Sequence, residues 1–364
     1  MRPAQPTPRT FRAPGRVNLI GEHTDYNDGL VMPVAIEFAT YVEVTDRQDR
    51  RLAVYSENYS DAPAFDLDDP DPKACGHWSD YVRGVAVALE RSGRRVAGAN
   101  LRIRSDVAMG AGLSSSAAIE VATALALLGD AQVDRTALAQ LCQRAENEFV
   151  GVRCGIMDQF SACHARAGHA LMLDCRTLDY RFAALPRGAK LVIANTMVRH
   201  SLAGGEYNRR RAECEEGAAY FGRSLRDVTT AELEREGRGL SETVYRRCRH
   251  VITENARVIA AAAALEQGDL PAFGELMYES HRSLREDYEV SCAELDTMVE
   301  IAASAPGVYG SRMTGGGFGG CTISLVQEEY VEAFRETMVR RYSEAVGREA
   351  AVYVTGAAEG AGEM

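Results

Sequence analysis

The apolar pattern divides the chain into two halves of different character. Short β-branched and apolar runs at residues 17–20, 40–45, 52–55 and 101–104 are separated by Gly, Asp, Asn and Pro, the punctuation expected between strands. Residues 114–128 read as a helix opening from a Gly-rich loop, and residues 134–149 as a second with Leu138, Leu141, Cys142, Ala145 and Phe149 on one stripe. Strands are predicted again at 169–174 and 191–195. From about residue 196 the period changes: 206–221, 241–265, 270–287 and 292–304 carry helical spacing, the second with Val244, Cys248, Val251, Ile252 and Ile259 inward. Strands at 308–313, 322–326 and 351–354 around a helix at 328–342 close the chain. The expected architecture is α+β in two units, 1–195 and 196–364, with a boundary good to about ten residues and open to crossing by a returning strand. Residues 1–10 stand outside the pattern as a disordered or clamped arm.

Composition narrows the function classes. At 46% hydrophobic and 26% charged residues the chain is neither disordered nor collagenous. A net charge of −11, from 52 acidic against 41 basic residues, argues against nucleic acid or an anionic membrane as partner and for a small molecule. The longest apolar stretches, such as 258–265, fall short of the ~18 residues a membrane span needs, and no apolar leader segment follows Met1. Nine scattered cysteines without a C-x-x-C pair speak against a disulfide framework or a zinc knuckle, so reduced thiols in the cytoplasm are expected.

Four segments carry candidate chemistry. Gly110-Ala111-Gly112-Leu113-Ser114-Ser115-Ser116 runs from a strand into a helix, where glycines permit close backbone approach and the helix N-terminus offers unpaired N–H groups to a phosphate; a plain helix-capping loop is the alternative. It is not a Walker A loop, because no Gly-Lys dipeptide exists, nor a dinucleotide fingerprint, because Ser115 stands at the third glycine. Gly315-Gly316-Gly317-Phe318-Gly319-Gly320 runs into a strand rather than a helix, so it reads as a loop packed on another loop or on a ligand, or as a simple turn. Glu22, His23 and Asp25, after the strand-like Arg16-Val17-Asn18-Leu19-Ile20, form a dense set of donors and acceptors suited to sugar hydroxyls, or alternatively a solvated turn. Glu146 and Asp158 are carboxylates that could hold Mg²⁺ and polarise a hydroxyl, though a surface helix and a helix cap would use the same residues.

Taken together, GRVNLIGEHTDYN (15–27), GAGLSSSAA (110–118), CGIMDQF (154–160) and MTGGGFGG (313–320) resemble the galactokinase family, within the small-metabolite kinase superfamily of homoserine, mevalonate and phosphomevalonate kinases. The resemblance spans the chain and includes His77-Trp78-Ser79-Asp80-Tyr81-Val82-Arg83-Gly84 and Arg199-His200-Ser201 leading to Glu206-Tyr207; it departs where the family's Asn-Gly-Gly reads Asn27-Asp28-Gly29. It implies an N-terminal domain like domain 2 of ribosomal protein S5, a ferredoxin-like C-terminal domain and an active site between them. It implies further that Asp158 faces the anomeric hydroxyl of D-galactose and that Arg16 stabilises the transferred phosphoryl group. Glu22, His23, Thr24, Asp25, Gly155 and Tyr207 would contact the sugar, and Gly110, Ala111, Gly112, Leu113, Ser114, Ser115 and Ser116 would wrap the phosphates of ATP. Trp78 would lie near the adenine, and Ser116 and Glu146 would hold Mg²⁺. An N-acetylgalactosamine kinase and a non-catalytic galactose sensor are the alternatives, and a monomer or a dimer remains open.

Overall fold

The computed structural model describes residues 8–198 and 203–364, so most of the arm and the Arg199-His200-Ser201 segment lie outside the described residues. The first half is built on β1 (Arg9–Asn18), β2 (Leu30–Val31), β3 (Pro33–Asp46), β4 (Arg51–Ser56) and β5 (Ala64–Asp66), followed by α1 (Asp80–Arg91) and β6 (Ala99–Ser105). Helices α2 (Ser115–Leu128), α3 (Arg135–Arg144) and α4 (Met157–His164) then lead to β7 (His169–Asp174), β8 (Tyr180–Ala184) and β9 (Ala189–Asn195). The helix-rich part runs α5 (Ala203–Phe221), α6 (Thr230–Glu236), α7 (Glu242–Gln267), α8 (Leu270–Glu286) and α9 (Ala293–Ala303). It closes with β10 (Val308–Thr314), β11 (Cys321–Gln327), α10 (Val331–Val346), β12 (Ala351–Thr355) and β13 (Gly362–Glu363).

The chain is α+β in two units. One sheet has the order β13-β1-β3-β6-β4-β5, antiparallel except for the parallel β4–β6 pair, and a second has the order β10-β11-β9-β12, antiparallel throughout. Alternating inward residues of the first sheet, Val42 and Val44 on β3 and Leu101 and Ile103 on β6, meet Val82, Leu89, Val121, Leu138 and Phe160 from α1 to α4 in one apolar core. The second sheet packs Val192 and Val326 on Met298, Phe334 and Met338 of α9 and α10. A third core, with Val17, Ile36, Val258, Phe273, Ile193 and Ile323, welds the two units together. β9, which precedes residue 196, sits inside the second sheet, while β13 returns to β1, where Glu363 accepts from Arg9 Nε and Nη2 at 2.7 and 2.8 Å. Arg9 and Thr10 of the arm are thereby part of β1.

Several expectations need correcting. Strand β1 starts well before residue 17 and ends at Asn18, releasing Leu19 and Ile20 into the loop that carries the next motif. Helices α1, α4 and α6 lie in segments where no helix was expected; α4 and α6 are only about two turns long, whereas α1 does carry a helical stripe, Val82, Val85, Ala86 and Leu89, all buried, which the sequence reading passed over. Ile259 is 57% exposed rather than inward. α7 changes partners along its 26 residues, burying Val244, Val251 and Ile252 in the helical core and Val258, Ala261, Ala262 and Leu265 against the junction of the units, so its inward face rotates past Ile259.

Candidate active site

Arg16 and Asp158 meet in the lining of a cavity of about 420 Å³. Arg16 reaches it from the end of β1, and Asp158 from the first turn of α4. Arg16 donates to Asp158 through Nε at 2.8 Å and Nη2 at 2.9 Å, a bidentate pairing, and through Nη1 to the Gly112 carbonyl at 2.6 Å. Ser114 Oγ donates to the same carboxylate at 2.5 Å. Burial alone would weaken the Arg16 guanidinium's hold on its proton, but the carboxylates of Asp158 and Glu22 more than reverse this, so it stays cationic. Ser114, at the N-terminus of α2, has φ +60°, a left-handed conformation that a non-glycine residue holds only when its surroundings enforce it.

The loop after β1 supplies the polar wall on one side. Its carboxylate Glu22 accepts from Asn18 Nδ2 at 3.1 Å, Thr314 Oγ1 at 3.2 Å and the Gly315 amide at 2.6 Å, with the buried Arg312 guanidinium 3.6 Å away, so both units grip it. His23, also left-handed at φ +61°, shares a proton through Nδ1 with the Tyr26 hydroxyl at 2.7 Å, and Tyr26 continues to Tyr288 at 2.7 Å. Burial, then the nearby His250 and Arg210, pushes His23 down to about 3, so the ring is neutral with Nε2 buried and unpartnered beside the cavity. Burial, then Asp158 and Glu22, pushes Asp25 up to about 7. Gly155 lines the cavity against Asp25 so closely that any Cβ there would overlap the carboxylate. Tyr207 stacks obliquely beside His23, ring centres 5.6 Å apart. Thr24 is absent from this wall: its hydroxyl closes the loop by donating to the carbonyls of Gly21 at 2.8 Å and Leu30 at 2.7 Å.

On the other side, Gly110, Gly112, Ser114, Ser115 and Ser116 line the cavity at the mouth of α2, while Ala111 and Leu113 turn their side chains into the core and can offer a ligand only backbone N–H groups. The C-terminal glycine loop packs on this segment: a Cβ on Gly112 would lie 3.1 Å from the Thr314 carbonyl, and Gly315 faces the Gly112 backbone in return. Trp78 stacks on Tyr59 with ring centres 5.2 Å apart and planes 7° from parallel, and its indole N–H donates to Asp61 at 3.1 Å. Ser56, Asn58, Tyr59, Tyr81 and Ser105 also line the cavity; of these only Tyr81 stood in a segment quoted from the sequence, and it was given no role.

Glu146 is aimed into the cavity by a π-helical turn, Ala145–Val150, whose wider loop is closed by the Gly151 amide on the Glu146 carbonyl at 2.9 Å. Its carboxylate accepts from Gln159 Nε2 at 2.6 Å and from the Ser116 hydroxyl, and burial together with the Asp158 charge pushes it up to about 7. Ser116 and Glu146 fit a hard divalent cation: both are oxygen donors lining the cavity, and a cation there would favour the ionised form of Glu146 that burial and the Asp158 charge oppose. Among the described residues no trio of His, Cys, Asp or Glu is grouped to hold a metal ion by itself.

An aromatic platform, a glycine-serine loop at a helix N-terminus, an Arg–carboxylate pair and a hydroxyl-reading wall in one cavity define a small-metabolite phosphotransferase. The chain matches the N-terminal domain of the GHMP kinases over residues 80–166 and their C-terminal domain over residues 261–344. It also matches the galactokinase galactose-binding signature over residues 3–46. A galactokinase of Chloroflexus aggregans (strain MD-66 / DSM 9485) is 50% identical over 94% of this chain and 90% of that protein. The crystal structure of the Lactococcus lactis galactokinase complexed with galactose superposes with a TM-score of 0.95 at 38% identity, covering 99% of this chain and 96% of that one. The mevalonate kinase of Methanococcus jannaschii shares the fold, with a TM-score of 0.67 at 18% identity over 99% of this chain and all of that one, 100%. The chain belongs to the galactokinase family.

Proposed function

We propose that this enzyme transfers the γ-phosphoryl group of ATP to the anomeric hydroxyl of D-galactose, giving galactose 1-phosphate and ADP. The observation that carries this reading is the cavity that Asp158 and Arg16 line together with Trp78 and Tyr59 and with Glu22, His23 and Asp25. Asp158 accepts the hydroxyl proton, or orients the hydroxyl for attack, at the carboxylate that Arg16 and Ser114 hold in place. Arg16, always charged, faces the oxygens of the migrating phosphoryl group, where charge must be neutralised. The backbone N–H groups from Gly110 to Ser116 cradle the phosphates. Neutral His23, together with Asp25 and Tyr207, reads the sugar's hydroxyls, since a site built to pair a hydroxyl leaves its own polar groups unsatisfied when that hydroxyl is inverted. Mg²⁺, held by Ser116 and Glu146, would neutralise phosphate charge when bound.

The nine unpaired cysteines suit a reducing compartment such as the cytoplasm. No described helix is long and apolar enough to cross a membrane. The division between units falls, on this reading, just before β9, with β13 crossing back. ADP release measured with galactose, glucose, N-acetylgalactosamine, homoserine and mevalonate tests the assignment: galactose should be turned over best, and preference for any other acceptor would sink it.

A further inference from the structure

Behind the cavity wall, where α2, α4 and the turn at residues 145–150 converge, lies a polar cluster with no access to solvent. Glu120 and Gln159 are both 0% exposed. The two hydrogens of the Gln159 amide are divided between two carboxyl groups: Nε2 donates to Glu146 Oε2 at 2.6 Å and to Glu120 Oε2 at 3.0 Å. Glu146 has further donors in Ser116 and Cys154, whereas Glu120 has Gln159 alone and its Oε1 is unpartnered. A carboxyl group so placed does not serve stability, because an apolar side chain of equal volume would avoid its desolvation.

It does serve orientation. A glutamine amide presents nearly the same shape after a 180° turn, and the turned amide would direct its oxygen at the Glu146 carboxylate. With Glu146 Oε2 accepting on one side and Glu120 Oε2 on the other, the orientation observed pairs both N–H groups of the amide. Gln159 follows Asp158 in the chain, so the turn of α4 that presents Asp158 also ties down Glu146. Glu120 lies four residues after Ser116, on the same face of α2, so the helix that supplies one candidate cation ligand carries the brace for the other.

We propose that Glu120 and Gln159 are positioning residues, a buried brace that holds the Glu146 carboxylate in the orientation in which it meets a divalent cation. This rests on the reading of Glu146 as a cation ligand. Neither residue touches the cavity's contents. Their effect is expected on ion affinity and not on nucleotide contact, and an outer partner of a ligating group typically changes metal affinity about 10- to 100-fold.

The test uses binding without turnover. ADP binding is followed by the fluorescence of Trp78, the chain's one tryptophan, while Mg²⁺ is titrated. Gln159→Met and Glu120→Met, chosen to conserve volume, should each raise the Mg²⁺ midpoint by about 10-fold and leave ADP affinity without the ion unchanged. Glu120→Gln keeps an acceptor oxygen for Gln159 and should retain the wild-type midpoint. A packing role alone would lower the melting temperature of the methionine variants without moving the midpoint, and that result overturns the brace. Glu146→Gln is the reference: a shifted midpoint there with none in the methionine variants rejects the brace alone. An unshifted midpoint in Glu146→Gln rejects the cation reading and the brace with it.

Discussion

Replacing Gly155 by alanine places a methyl group where the structure has no room for one. The ideal Cβ would overlap the Asp25 carboxylate and stand 2.8 Å from the Asp25 Cβ, so Asp25 must leave its present position. If that carboxylate accepts a sugar hydroxyl, its displacement forfeits a hydrogen bond to a charged group worth about 1.5–3 kcal/mol. At 1.4 kcal/mol per tenfold, the loss in kcat/KM for galactose is roughly 10- to 150-fold. The added methyl group should also cost about 1–3 kcal/mol of stability as overpacking, visible as a lower melting temperature. Nucleotide binding, read from Trp78 fluorescence, should not change, because the clash at Gly155 falls on Asp25 and touches neither ring of the Trp78–Tyr59 stack. The decisive comparison is a double-mutant cycle. Once Asp25→Ala has removed the obstructing carboxylate, Gly155→Ala should add little further loss in kcat/KM. An equal loss in both backgrounds, or a larger effect on nucleotide than on galactose, would refute this reasoning.

Three further outcomes are expected. Asp158→Asn should lower single-turnover rates by about 10²- to 10⁴-fold with nucleotide binding intact, and near wild-type rates would remove Asp158 from the chemistry. Folding raises Asp25 from 3.8 to about 7, so its contribution to stability is present below about pH 4 and is lost as pH rises through 7. Asp25→Asn should therefore melt higher than the parent at pH 8, and the parent's KM for galactose should fall as pH rises through 7; a flat profile would contradict this. His250, depressed from 6.5 to about 4 by burial while bonded to the Ser283 hydroxyl and the Glu22 carbonyl, contributes stability present above pH 6.5 and lost as pH falls through 4. His250→Gln should flatten the melting-temperature profile over that window without abolishing it, since His23 titrates lower still, and an unchanged slope would exclude His250 as a cause.

The cavity lining was legible in the sequence where it sits in contiguous turns at element ends. Arg16 to Asp25, Gly110 to Ser116 and Cys154 to Asp158 each span one loop, and glycines mark where backbone approaches backbone. Reading motifs as blocks also carried along Thr24, Ala111 and Leu113, which alternate away from the cavity to close a loop or fill the core. Asn58, Tyr59 and Ser105 were illegible because Asn58-Tyr59 after β4 reads as a plain polar turn, and only the fold brings Ser105 of β6 to it. Glu120 was hidden for a different reason: a single carboxylate in the alanine-rich run of α2 signals nothing until Gln159 and Glu146 are seen beside it. The π turn that aims Glu146 has the same apolar stripe as an ordinary helix, so periodicity passed over it.

The central claim is that Asp158 and Arg16 serve transfer to one particular hydroxyl. It is tested most directly by the phosphorus NMR spectrum of the product formed from galactose and ATP. The account predicts a single sugar phosphate, coupled to the anomeric proton, forming as ADP appears and absent with Asp158→Asn. Phosphate on any other hydroxyl, or inorganic phosphate released from ATP with the sugar unchanged, would contradict it.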